Sequence, residues 1–219
     1  MPTRRRRPQP TSSPLPSRTT SRPSARRPIA VAVTGGIGAG KSELLNAFER
    51  HGAAVVSSDE IVHTLLRQEL EVKRAVVEHL GDRVLGPDGE IDRVAVADVV
   101  FTDPDELRWL EALLHPLVVA TYLRWRERLA ELPDPPAVCV TEVPLLYEVG
   151  GETRFDKVVA VTAAPEVRIS RSIHVTPGRE ERLIPDEEKL RRADFAFVND
   201  GSLEELDAFV SDVMAKLSG

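Results

Sequence analysis

Val31-Ala32-Val33-Thr34-Gly35-Gly36-Ile37-Gly38-Ala39-Gly40-Lys41-Ser42 runs from small and β-branched apolar residues into a glycine-rich stretch and ends on a lysine and a hydroxyl. From Gly35 to Ser42 it satisfies G-x-x-x-x-G-K-[ST], and the helical spacing of Leu44, Leu45 and Phe48 follows at once. Strand, loop, helix is the context in which this pattern cradles phosphate. Glycines let successive N–H groups curl round a polyphosphate where a β-carbon would collide, and the helix adds its positive N-terminus. The eight residues Gly35, Gly36, Ile37, Gly38, Ala39, Gly40, Lys41 and Ser42 are therefore expected to hold a nucleoside triphosphate. Lys41 is placed to bridge its β- and γ-phosphates, and the Ser42 hydroxyl to bind Mg²⁺. A dinucleotide fingerprint is absent, because Lys41 stands where the third glycine belongs.

Around this stretch the chain alternates. Short apolar runs at 29–34, 53–56, 137–141, 157–161 and 195–198 read as strands, with helices after Ser42, Pro165 and Ser202. Between Glu60 and Leu132 no strand pattern occurs, and the apolar positions of 70–80, 94–101 and 107–129 read as helices. These readings give an α/β fold with a parallel five-stranded sheet covered by helices on both faces, and a helical insertion at 60–132. Its ligand site is expected beyond the carboxyl ends of the strands.

The chain has 219 residues, 42% of them apolar, enough for one sizeable core. Residues 1–28 hold eight Arg and no acid, and almost nothing apolar, so they read as a disordered basic tail. An acid-free, Arg-rich start resembles an organelle transit peptide but has no apolar face. The formal charge of −6 hides a body of about −14 once that tail is set aside. Such a body repels nucleic-acid backbones and anionic lipid, so neither is expected as its partner. A single cysteine, Cys139, and no apolar run long enough to span a bilayer suit a soluble protein of the reducing cytoplasm.

A phosphate loop alone fits a GTPase, a motor ATPase or a small-molecule kinase. No Asn-Lys-x-Asp is present to read guanine, and the chain is short for a motor. Further blocks decide. T-G-G-I-G-A-G-K-S at 34–42, S-S-D-E-I-V-H at 57–63, G-P-D-G-E-I-D-R at 86–93, V-F-T-D-P at 100–104, L-L-H-P-L-V at 113–118, E-V-P-L-L-Y-E at 142–148 and A-D-F-A-F-V-N-D-G-S at 193–202 together resemble the dephospho-CoA kinases. That resemblance spans 29–210. It implies a P-loop, nucleoside-kinase-like fold with a helical acceptor-binding insertion and a lid at 166–192. It also implies transfer of the γ-phosphate of ATP, with Mg²⁺, to the 3′-hydroxyl of dephospho-CoA, a small-molecule substrate.

Carried onto this chain, the resemblance makes Asp59 the carboxylate that accepts the acceptor hydroxyl's proton, where capping of a helix starting at Glu60 is the other reading. Glu142 stands where the family has Asp before Pro-Leu-Leu, and is expected to hold a metal-bound water. His63, Arg93, His115 and Tyr147 resemble acceptor-side positions, although His115 before Pro116 also reads as a packed structural histidine. Arg171, then Arg179, are the lid arginines expected to neutralise the γ-phosphate, and Asn199 resembles an adenine-side position. The chain also departs from the pattern. Glu43 replaces a threonine beside the phosphates, Leu183 replaces a glutamine, and the lid is about seven residues short. The short lid and Glu142 keep two alternatives open: a related kinase for another alcohol acceptor, and an ATP-binding module without transfer.

Overall fold

The computed structural model describes residues 27–171 and 184–218. Five strands, β1 (Ile29–Gly35), β2 (Ala54–Ser57), β3 (Val138–Glu142), β4 (Lys157–Thr162) and β5 (Phe195–Val198), pair in parallel in the order β2-β3-β1-β4-β5. The five-stranded parallel sheet expected from the apolar runs is thus present, each strand within one or two residues of its expected place. The helices are α1 (Lys41–Arg50), α2 (Ser58–Gln68), α3 (Leu70–Leu80), α4 (Arg93–Val100), α5 (Pro104–Ala130), α6 (Pro165–Arg171), α7 (Asp186–Arg192) and α8 (Leu203–Ser218).

Period-2 alternation divides the strand residues between two buried faces. Val31 and Val33 of β1, with Val138, Val140, Val159 and Val161, pack against Leu44 and Phe48 of α1 and Leu206, Val210 and Val213 of α8. Ala32 and Val158 face the other way, onto Leu146 and Tyr147. The strands are covered on both sides, which is why they read as continuous apolar runs. Between β2 and β3 lies a second core. There Leu110, Leu114, Val118 and Tyr122, four residues apart along α5, meet Ile61 and Leu65 of α2, Val72 and Val76 of α3 and Val96 and Val100 of α4. A His79–Trp109 stack at 3.8 Å adds to the α3–α5 contact.

Arg27 and Pro28, read from composition as the end of the tail, belong to the fold. Both terminal nitrogens of Arg27 donate to Asp156 at 2.7 Å, Asp156 also accepts from the Ala30 N–H, and Pro28 is buried. The rest of the tail, and Arg179 and Leu183, lie outside the described residues. No helix among the described residues is long and apolar enough to cross a membrane.

Candidate functional site

All five strands deliver their polar residues to one edge of the sheet. The phosphate loop leaves β1, Ser57-Ser58-Asp59 leave β2, Glu142 ends β3, Thr162 ends β4 and Asn199 follows β5. The strand order reverses beside β1, so this edge carries the crevice in which open α/β sheets bind ligands.

The loop has the geometry the glycines allow. Gly38 and Gly40 have φ of 74° and 93°, a left-handed conformation that side chains resist, and a β-carbon on Gly35 would run into the Val161 carbonyl oxygen. The Lys41 ammonium folds back over the loop, donating to the Gly36 carbonyl at 3.0 Å, and lies 4.0 Å from Glu142 Oε1. Ser42 is exposed in the first turn of α1. Glu43 does not join this cradle. Its carboxylate accepts from Arg50 Nη1 at 3.2 Å, two turns along α1.

Glu142 is buried at the end of β3 and held from both sides. Ser57 Oγ donates to its Oε2 at 2.9 Å, and Ser58 Oγ to its backbone carbonyl at 2.6 Å. Burial pushes the Glu142 carboxyl above the usual carboxylate range, while Lys41 and the Ser57 hydroxyl pull against that shift and Asp59 and Glu60 reinforce it. Ser57 is also the N-cap of α2, accepting from the Asp59 N–H at 3.2 Å. The capping reading of Asp59 is therefore wrong: α2 begins at Ser58, and Asp59 sits in its first turn with its residue exposed.

Asp59 and His63, one helical turn apart on α2, line an open cleft of about 320 Å³ with Glu60, Thr64 and Arg93. Arg93 opens α4 behind its Asp92 cap, and its Nη1 donates to His63 Nδ1 at 2.8 Å. A guanidinium only donates, so the ring accepts there and keeps its proton on Nε2. Three of the expected acceptor-side residues thus share one cleft. His115 and Tyr147 are elsewhere. His115 is exposed on α5, neither packed nor in the cleft lining, and Tyr147 is buried beneath Arg192, whose guanidinium stands 4.1 Å over its ring. Cys139 is sealed inside β3, its thiol pushed up to about 11 by burial.

Arg171 ends α6 with its Nη1 donating to the Asn199 carbonyl at 3.0 Å, next to the C-terminal end of the loop. The Asn199 amide, expected on the adenine side, is spent on the loop itself, donating to the Ala39 carbonyl at 2.9 Å. Two further residues belong here: Arg168, whose Nε donates to the Ile37 carbonyl at 2.8 Å, and Asp186, which accepts from Arg168 Nη1 at 3.0 Å. No contiguous motif links 37, 168 and 186.

The dephospho-CoA kinase (CoaE) family profile matches residues 29–205, which hold every element of this crevice. The chain belongs to the dephospho-CoA kinase family. A dephospho-CoA kinase of Streptomyces avermitilis is 40% identical over 196 residues, covering 86% of this chain and 94% of the relative. Among solved structures, TT1252 from Thermus thermophilus superposes with a TM-score of 0.69 at 35% identity, covering 89% of this chain and all of that one. The dephospho-CoA kinase from Campylobacter jejuni superposes with a TM-score of 0.62 at 25% identity, over 88% and 99% of the two chains. As a member of that family the chain is an ATP-dependent kinase acting on an alcohol group.

Proposed function

We propose that this chain transfers the γ-phosphate of ATP to the ribose 3′-hydroxyl of dephospho-CoA, giving coenzyme A, as a cytoplasmic enzyme. One observation carries the reading: the Ser57 hydroxyl joins the Glu142 carboxylate to the N–H of Asp59, so the acid that faces the acceptor cleft and the acid that faces Lys41 are set by the same atom.

The loop N–H groups and Lys41 grip the triphosphate, and Arg171 stands at the loop's far end to meet charge on the transferred group. Asp59 orients the 3′-hydroxyl and takes its proton late. The new bond joins O3′ to the γ-phosphorus as the bond to the β–γ bridging oxygen breaks, and ADP leaves with that electron pair. His63 and Arg93 present donors to the acceptor's anionic groups along the cleft. Ser42 and Glu142 would hold Mg²⁺, and their hard oxygens suit it. Among the described residues no cluster of three or more His, Cys, Asp or Glu forms a dedicated cage, which fits an ion taking its remaining ligands from water and phosphate. Bound there, Mg²⁺ supplies charge neutralisation on the phosphoryl oxygens.

The test is the purified chain with ATP, Mg²⁺ and dephospho-CoA, with product identified by mass and by 3′-phosphate position. Stoichiometric coenzyme A and ADP are expected. Transfer confined to another alcohol, or nucleotide binding with no transfer, would overturn the proposal.

A further inference from the structure

Two carbonyls of the phosphate loop are tied down by side chains from far along the sequence. Arg168 Nε holds the Ile37 oxygen at 2.8 Å, and Asn199 Nδ2 holds the Ala39 oxygen at 2.9 Å. A trans peptide unit is planar, with its N–H directed opposite its C=O. Fixing the Ile37 and Ala39 oxygens therefore fixes the directions of the Gly38 and Gly40 N–H groups, both in a loop whose work is to aim N–H groups at phosphate.

Both ties share a root at the end of β4. The Thr162 backbone carbonyl accepts from the Asn199 N–H at 2.7 Å, and its hydroxyl donates to Asp186 Oδ2 at 2.7 Å. That same Asp186 oxygen accepts from Arg168 Nη1 at 3.0 Å, and Arg171 Nη1 secures the Asn199 carbonyl. Asn199 is buried, and the Arg168 and Asp186 side chains are only 20% exposed, so neither tie is a surface contact. Two of the loop glycines leave the space that the braces occupy. A β-carbon on Gly36 would press within 3.0 Å of the Arg168 guanidinium and Asp186, and one on Gly40 would overlap the Asn199 amide.

We propose that Arg168 and Asn199 are positioning residues that preset the phosphate loop from its outer side, with Asp186 and Thr162 as their anchorage. The proposal rests on the reading that this loop binds the triphosphate of ATP. It changes the expected role of Asn199 from an adenine contact to a loop brace. A preorganised loop binds without ordering itself on arrival, so the braces act on affinity for the phosphate chain whatever base it carries.

The experiment is calorimetric titration of the full chain with inorganic triphosphate and, separately, with ATP, alongside steady-state kinetics. Arg168→Gln and Asn199→Ala are each expected to weaken triphosphate and ATP by the same factor, on the order of tenfold or more, with KM for ATP rising and kcat changing far less. Asp186→Asn, which removes no hydrogen bond to the loop, is expected to weaken both ligands less. It should add little to Arg168→Gln in the double variant. Arg168→Lys keeps a donor for Ile37 but loses the fork to Asp186, and is expected to recover part of the affinity. If Arg168→Gln does not fold, Asp186→Asn and Arg168→Lys carry that arm. Unchanged triphosphate affinity in the Arg168 and Asn199 variants would overturn the proposal. So would an Asn199→Ala that weakens ATP but not triphosphate, which would return Asn199 to the adenine. A wild-type chain that binds neither ligand would instead sink the phosphate reading of the loop.

Discussion

Replacing Ser57 by alanine removes one oxygen and two bonds. The hydroxyl donates to the buried Glu142 carboxylate at 2.9 Å and accepts the Asp59 N–H at the start of α2. A hydrogen bond to a charged group is worth about 1.5–3 kcal/mol, and an N-cap serine about 1 kcal/mol over alanine. Ser57 is buried, so water does not replace what is lost. A loss of about 3 kcal/mol follows, which for a domain of this size is a fall of roughly 6–12 °C in Tm. Ser58→Ala is the control. It removes only a neutral bond to the Glu142 carbonyl, worth about 1 kcal/mol and roughly 2–4 °C. Ser57→Thr retains the hydroxyl and is expected to stay near wild type. The measurement is thermal unfolding at pH 7.5, followed by kcat for each variant, with Ser57→Ala the slower of the two alanine variants because Glu142 and Asp59 lose their common tether. A Ser57→Ala shift no larger than that of Ser58→Ala would refute the tether.

Lys41→Met is expected to lower transfer by about 10² to 10³ while the circular dichroism spectrum stays native, since a cation aimed at developing charge is lost and no core contact with it. Asp59→Asn should reduce kcat about 10²-fold or more with ATP affinity, read by titration, within twofold of wild type; equal losses in both would move Asp59 to the nucleotide side. Glu142→Gln tests the buried acid by pH. Its carboxyl is raised above the ordinary range, so the folded state holds that proton more tightly than the unfolded chain, and the stability this brings is lost as pH rises through the folded value. The variant is therefore expected to melt above wild type at pH 7–8, with the gap closing as pH falls below the ordinary carboxylate range, and to be nearly inactive. A variant less stable than wild type at pH 8 would show that Lys41 and Ser57 outweigh the cost of burial.

The sheet was legible because each strand announces both its faces and its end. Val31, Val33, Val138, Val140 and Val159 are buried under helices, so no polar alternation interrupts them, and the runs stop at Gly35, Ser57 and Glu142, where the chain turns into the site. Helix α7 carries no such pattern, for a definite reason. Its sequence, Asp-Glu-Glu-Lys-Leu-Arg-Arg, buries Lys189 rather than an apolar residue, and the ammonium is met inside by Glu148 at 2.8 Å. Hydrophobic periodicity has nothing to detect where the inward-facing residue is a lysine paired with a glutamate forty-one positions earlier.

The site divides along the same line. A motif records what a contiguous backbone needs, so Gly35 to Ser42 disclosed the loop, and Asp59 and His63, one turn apart on α2, disclosed one wall of the open cleft. The residues that hold those groups in place are brought together only by the parallel order of the strands. Ile37 meets Arg168 from 131 positions away, Ala39 meets Asn199 from 160, and Glu142 meets Ser57 from 85. None of these pairs has a spacing that a reader of one sequence can weigh, because the spacing is set by the length of the helical insertion and not by the chemistry. Tyr147 shows the converse. It lies in a block that names the family, yet its ring belongs to a core beneath Arg192, so sharing a motif with site residues did not place it in the cleft. Contiguity records the shape that a single loop takes. It is blind to the distant side chains that hold the loop in that shape.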